Sequence, residues 1–223
     1  MGKRIQNKQR VKQLLRDRDW NGLTDWFAQV RNPIRILRGI LYDPDPLIRW
    51  RAVEAMGKAT RQVTDHNMEK GRNIVRQLLW LMNDESGGLL WNGPEVIALI
   101  LQEVPALLDE FGPLLTTFLR EEPFEQGTHW ALSLVVKQKP HLFLNSVQVL
   151  SESLQDPNPS IRAHALLALQ EIDEEVAAAG AIELQNDGTT FSTYDLATGE
   201  ICQKSVRDIA IHVLKTEKIN HHS

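Results

Sequence analysis

Two stretches of this chain repeat one motif: Asp43-Pro44-Asp45-Pro46-Leu47-Ile48-Arg49 and Asp156-Pro157-Asn158-Pro159-Ser160-Ile161-Arg162. Each runs into an Ala-rich amphipathic segment, Trp50-Arg51-Ala52-Val53-Glu54-Ala55-Met56-Gly57 in the first copy and Ala163-His164-Ala165-Leu166-Leu167-Ala168-Leu169 in the second. A recurring turn-plus-helix unit points to a repeat architecture, because one such unit cannot bury its apolar face alone. The turn chemistry is specific. Asp45 and Asn158 carry short side-chain oxygens suited to accept an orphan N–H at a helix start. Pro46 and Pro159 then take the first helical position, where a missing N–H costs nothing. Pro44 and Pro157 keep the preceding residue out of the helical region, so the helix before must stop by Tyr42 or Gln155. Ile48, Ala52 and Met56 recur at helical spacing, as do Ile161, Ala165, Leu169 and Ile172.

Two degenerate copies lie between. One is Asn83-Asp84-Glu85-Ser86-Gly87-Gly88 leading into Trp91-Asn92-Gly93-Pro94-Glu95-Val96-Ile97; the other is Glu121-Glu122-Pro123-Phe124 leading into His129-Trp130-Ala131-Leu132-Ser133-Leu134. With Asp43, Asp84, Glu122 and Asp156 as markers, the steps are 41, 38 and 34 residues, so each unit holds two helices. The first helices of the pairs are expected near 34–42, 67–82, 107–120 and 140–154. The second are expected near 47–59, 94–104, 126–137 and 159–172, and an additional pair near 6–16 and 20–30 precedes them.

The pattern Asp-Pro-x-Pro-x-Ile-Arg-x-x-Ala-x-x-Ala-(Met/Leu) resembles the HEAT repeat. In particular it resembles the short HEAT-like repeats of phycobilisome-chromophore lyases and of small uncharacterised bacterial repeat proteins. The resemblance covers residues 10 to 175. It implies an all-α superhelix, a solenoid of about five helix pairs whose second helices line a concave face. It implies no reaction, because such repeats serve many functions.

Beyond 175 the repeat is lost, which suggests a solenoid over 1–175 and a C-terminal cap over 176–223. The stretch from Glu174 to Ala181 can extend a helix. Thr189-Thr190-Phe191-Ser192-Thr193-Tyr194 is rich in β-formers, Asp195-Leu196-Ala197-Thr198-Gly199 supplies a turn, and Glu200-Ile201-Cys202-Gln203 follows. This reads as a β-hairpin. Ser205-Val206-Arg207-Asp208 resembles a capping box opening a last helix over 206–214. Hairpin and helix would cover the apolar end of the stack; a dedicated binding element is the alternative. Cys202 reads as a small core hydrophobe.

Charge is uneven along the chain. Residues 1–51 hold 12 Lys/Arg against 5 Asp/Glu, whereas the whole chain carries −4. The plain reading is a solvated basic first helix; the sharper one is a basic end that meets a polyanion or an acidic partner. The acidic remainder disfavours nucleic acid as a partner. No apolar run approaches a bilayer span, no secretory signal or myristoylation pattern opens the chain, and a single cysteine makes no internal disulfide. The cytoplasm is the expected location.

Candidate site residues come from columns, since equivalent positions in adjacent repeats stand about 8–10 Å apart. Aligning Ala52, Pro94, Ala131 and Ala165 gives a row of Trp50, Arg51, Trp91, Asn92, His129, Trp130 and His164, with Glu54 and Glu95 beside it. Helix starts in this row offer free N–H groups to an anion, and large donor-rich side chains are the chemistry of a binding surface. The competing reading makes the aromatic stripe inter-repeat packing, and has Arg49 and Arg162 bond the preceding turns at Asp43 and Asp156. Trp91-Asn92-Gly93-Pro94-Glu95 is the most irregular part. Either Asn92 or Gly93 caps a helix starting at Pro94, or a helix from Ser86 is kinked there, freeing a carbonyl near Leu90.

Catalytic motifs are absent: no His-Glu-x-x-His, Cys-x-x-Cys, Gly-x-Ser-x-Gly, Gly-x-Gly-x-x-Gly or phosphate loop. Glu95, His129 and His164 are poorly spaced for a metal, and His221-His222 is too short and terminal for one. No cofactor is expected. The favoured function is a non-enzymatic scaffold whose concave face binds a protein segment or, second, a small anionic ligand. The alternative is an enzyme or enzyme accessory, either chromophore-lyase-like or similar to HEAT-like alkylpurine DNA glycosylases.

Overall fold

The computed structural model describes residues 3–83 and 90–220 of the chain. The turn expected at 84–88, a helix start at Ser86 and the His221-His222 pair lie outside the described residues. The described residues are mostly helical, with one two-stranded antiparallel sheet near the C-terminus. They form two compact units, Met1–Leu107 with Leu196–Glu200, and Leu108–Asp195 with Ile201–Ser223.

In the first unit, α1 (Lys3–Arg16), α2 (Trp20–Gln29) and α3 (Pro33–Arg38) precede the long α4 (Pro46–His66). Then come α5 (Met68–Met82) and α6 (Gly93–Glu103). All five other helices pack on α4 or on one another, and α4 is their common partner. Its face from Arg51 to Ala59 is buried nearly all round. Ile48 and Met56 are fully enclosed, each contributing roughly 2 kcal/mol of apolar burial. Gly57 is where α6 comes closest: a Cβ there would stand 2.8 Å from the Leu99 carbonyl oxygen. Asn67 ends α4 and opens α5, its side chain accepting from Lys70 N.

In the second unit, α7 (Leu108–Leu115), α8 (Glu125–Val135) and α9 (Val147–Glu152) lead to α10 (Pro159–Ile172). There follow α11 (Glu174–Leu184), β1 (Thr190–Asp195), β2 (Glu200–Ser205) and α12 (Val206–Asn220). Here α10 is the common partner, packing against α8, α9, α11, α12 and β1. The two clear motif copies thus open the central helix of each unit.

Their caps match. Asp45 Oδ1 accepts from Leu47 N at 2.9 Å, and Asn158 Oδ1 from Ser160 N at 2.9 Å. The arginines also match, through backbone rather than carboxylate. Arg49 Nη1 donates to the carbonyls of Asp43 (2.6 Å) and Pro44 (3.1 Å). Arg162 Nη1 donates to those of Asp156 (2.5 Å) and Pro157 (3.1 Å). The Asp43 carboxylate is engaged instead by Lys12 and by Asp45 N.

The first helices of the later pairs are less regular than the periodicity suggests. The expected helix at 107–120 is a 3₁₀ turn Pro105–Leu107, α7 with Pro113 inside it, and a second 3₁₀ turn Thr116–Phe118. The one at 140–154 is α9 flanked by 3₁₀ segments Pro140–Ser146 and Ser153–Gln155. Prolines that lack a donor and crowd the preceding turn account for the breaks at 105 and 140. The stretch from Glu174 is a separate helix, because Asp173 leaves the helical region and caps Val176 N. The change of motif at 175 therefore falls just inside α11, within the second unit.

Candidate functional site

The irregular corner resolves as a helix start. Leu90 is buried, Trp91 and Asn92 form a turn, and α6 begins at Gly93 with Pro94 in its first turn. A helix kinked at Pro94 is excluded over the described residues, and the Leu90 carbonyl is not freed: it accepts from Gly93 N at 2.9 Å. Gly93 is required by packing, since a Cβ there would lie 2.5 Å from Met82 Cγ and Sδ. From Gly93 to Leu101 every residue is buried.

Within that buried stretch sits a carboxyl. Glu95 is 7% exposed. Its Oε1 is 3.4 Å from Asn92 Nδ2, at the weak limit of a hydrogen bond. Its Oε2 is buried without a partner. Burial pushes its pKa up to about 7, only partly offset by its own backbone N–H and the Asn92 amide. Asn92 therefore serves Glu95 and makes no side-chain cap. Trp91, the residue before this turn tightens, is 63% exposed. The corner presents a large aromatic to solvent four residues before a poorly solvated carboxyl.

The rest of the proposed row goes elsewhere. Arg51 is buried, and its guanidinium is engaged within the protein. Its Nη1 donates to the carbonyls of Leu15 (3.1 Å) and Arg16 (2.5 Å), closing the end of α1, where helix carbonyls lack partners. Its Nε donates to Gly199 O at 3.2 Å and its Nη2 meets Glu200 Oε1 at 2.6 Å. Arg18, itself at φ 50°, donates to Leu196 O and Ala197 O. The same Arg18 approaches Glu54 at 3.5 Å. Glu54 lines a cavity of about 140 Å³ with Lys58, Leu99, Gln102, Glu103 and Leu196. Trp50 is half-buried.

His129, Trp130 and His164 belong to the second unit and are core residues. His129 Nδ1 donates to Glu125 O at 2.7 Å, and its Nε2 meets Ser153 Oγ at 2.9 Å. His164 Nδ1 donates to Ser160 O at 2.7 Å, and the ring stands edge-on to Phe191 at 5.5 Å. Burial lowers both pKa values, that of His164 to about 4, so both are neutral at physiological pH. Equal column position did not give equal exposure: each His folds back on the carbonyl one turn before it, as a buried side chain with a donor must.

The column alignment missed Trp80, which is 65% exposed on α5. The signal was present. Gly71, Val75, Leu78 and Met82 form the buried stripe of α5 at helical spacing, and Trp80 falls off it. Among the described residues no helix is long and apolar enough to cross a membrane.

No family model matches the chain. An uncharacterised protein of Archaeoglobus fulgidus is 28% identical over 143 residues, which cover 61% of this chain and 73% of that protein. Crystal structures of two engineered proteins from the Northeast Structural Genomics Consortium are similar in fold. One has a TM-score of 0.58 at 15% identity, covering 98% of this chain and 97% of its own. The other has a TM-score of 0.55 at 15% identity, covering 89% of this chain and 49% of its own. At such identity the likeness is one of fold alone.

Proposed function

We propose that the chain is a HEAT-like helical repeat protein acting as a non-enzymatic binding module, with a protein segment as its partner, in the cytoplasm. The repeat reading is supported by the matched caps and arginine contacts of the two motif copies. It is also supported by the packing of successive second helices, α4 on α6 and α8 on α10. The binding reading is carried by one observation: Trp91 stands 63% exposed at the mouth of a helix whose first nine residues are buried. A solvent-facing Trp on a rigid, packed turn offers contact area at little entropic cost, the usual make-up of an interface hot spot.

The carboxyl four residues on sets the partner's chemistry. Glu95 gains from a donor or a cation and repels an anion, so a segment offering Lys or Arg beside an apolar residue fits this corner. Such a cation can also lie over the Trp91 ring. Selection of displayed peptides on the wild-type protein, with W91A as the counter-target, tests the reading. Peptides with basic residues that bind wild type and lose W91A are expected; peptides that bind both equally overturn it.

A second reading keeps the enzymatic alternative. A carboxyl at pKa about 7 is poised for proton transfer near neutrality, and a Trp beside a carboxylate resembles the DNA-glycosylase pattern. Release of an alkylated base from duplex DNA by wild type but not E95Q would favour it over the binding module.

A further inference from the structure

We propose that the first unit holds a second, separate site: a cavity between α1, α2 and α3 that binds a small organic phosphate bearing more than one negative charge. This goes beyond the Trp91 corner and shares no residue with it. The cavity measures about 1170 Å³, is open to solvent on one side and is lined by residues of those three helices and of the turn between α2 and α3. Lys8 and Arg10 reach it from α1, Arg31 from the turn and Arg35 from α3, while Trp26 of α2 forms part of its wall. The lining carries one carboxylate, that of Asp25.

The charges are only partly compensated, Lys8 acting through space on the Asp43 carboxylate. Lys8, Arg10, Arg31 and Arg35 are exposed, and none of the four side chains is in an ion pair or hydrogen bond among the described residues. Several other cations of the chain are paired: Lys12 with Asp43, Arg51 with Glu200, Lys139 with Asp109 and Arg162 with Asp187. In a chain of net charge −4, four like charges around one hollow are held against their mutual repulsion. An anion that enters from outside relieves it.

Three of the four are arginines, whose planar forks match phosphate oxygens two at a time. They come from separate segments and face one hollow, which suits compact, concentrated charge over the spread carboxylates of an extended acidic peptide. The hollow exceeds what a single phosphate fills and is slightly larger than the ~300–1,000 Å³ of small-molecule sites, leaving room for an organic body against Trp26.

Calorimetric titration of the full chain with ATP and with pyrophosphate, at low and raised salt, tests the proposal. Saturable binding of both is expected, weakening as salt screens the cluster. Arg31→Gln or Arg35→Gln should weaken it about tenfold, the loss of one charge-assisted contact. Asp25→Asn should tighten it, a gain that misfolding would not produce. W91A and E95Q should leave it unchanged, which separates this site from the one under Proposed function. No binding of either phosphate overturns the proposal. So does binding that survives both arginine changes, or binding only of a poly-glutamate peptide or duplex DNA.

Discussion

Arg51 meets Glu200 at 2.6 Å although 149 residues of chain separate them. The same guanidinium closes the carbonyl end of α1 and holds Gly199 O, so one side chain joins two distant stretches of backbone in the first unit. Glu200 is largely exposed and the ion pair itself is worth little. The carbonyls matter more. Arg51→Ala should lower stability by about 3 kcal/mol, chiefly through hydrogen bonds lost to buried carbonyls. Glu200→Ala should cost under about 1 kcal/mol. Urea denaturation of both variants checks the ordering.

Glu95 should give stability a pH slope of unusual sign for a carboxylate. Its folded pKa, about 7, lies above the ordinary 4.5, so the folded state holds the proton more tightly. The contribution is complete below about pH 4.5 and is lost as pH rises through about 7. The whole swing is roughly 3 kcal/mol. E95Q, neutral throughout, should flatten that slope in denaturation measured across the range.

His164 works in the opposite direction. Its folded pKa, about 4, lies below the ordinary 6.5, so its contribution is present above about pH 6.5 and lost as pH falls towards 4. The swing is again roughly 3 kcal/mol. His164→Gln should reduce acid sensitivity, at a constant cost from lost packing against Phe191. Acid titration followed by near-ultraviolet circular dichroism reads both effects.

The matched arginines should differ in value. Arg49 makes only its two turn contacts, so Arg49→Ala should cost about 1 kcal/mol. Arg162 also binds Asp187 and Thr189 at 2.7 Å, and Arg162→Ala should cost about twice as much or more. The difference appears as a larger fall in Tm, about 2–4 °C per kcal/mol for a chain of this size.

Turn chemistry was legible in the sequence because it is local. Asp45, Asn158 and their prolines act on N–H groups two or three residues away, and those contacts stand as the residue types dictate. The hairpin and the helix after it were legible for the same reason. The candidate row was not. Alignment by column assumes that side chains in equal register face one side, but a long side chain takes whatever carbonyl the fold brings near. Arg51 found the end of α1, and His129 and His164 found the preceding turn. Trp91 and Glu95 kept their prominence because Gly93 and Pro94 fix the backbone between them. The basic end was legible as a charge total; which cations remain unpaired depends on where Asp43 and Asp25 fall in space.

Residues Leu196–Glu200 complete the first unit although they follow residues 108–195 of the second. Until residues 196–200 are present, Arg18 therefore lacks the carbonyls of Leu196 and Ala197, and Arg51 lacks that of Gly199 and the Glu200 carboxylate. A truncation anywhere before residue 200 does not trim an appendage. It leaves the first unit without the segment that completes it.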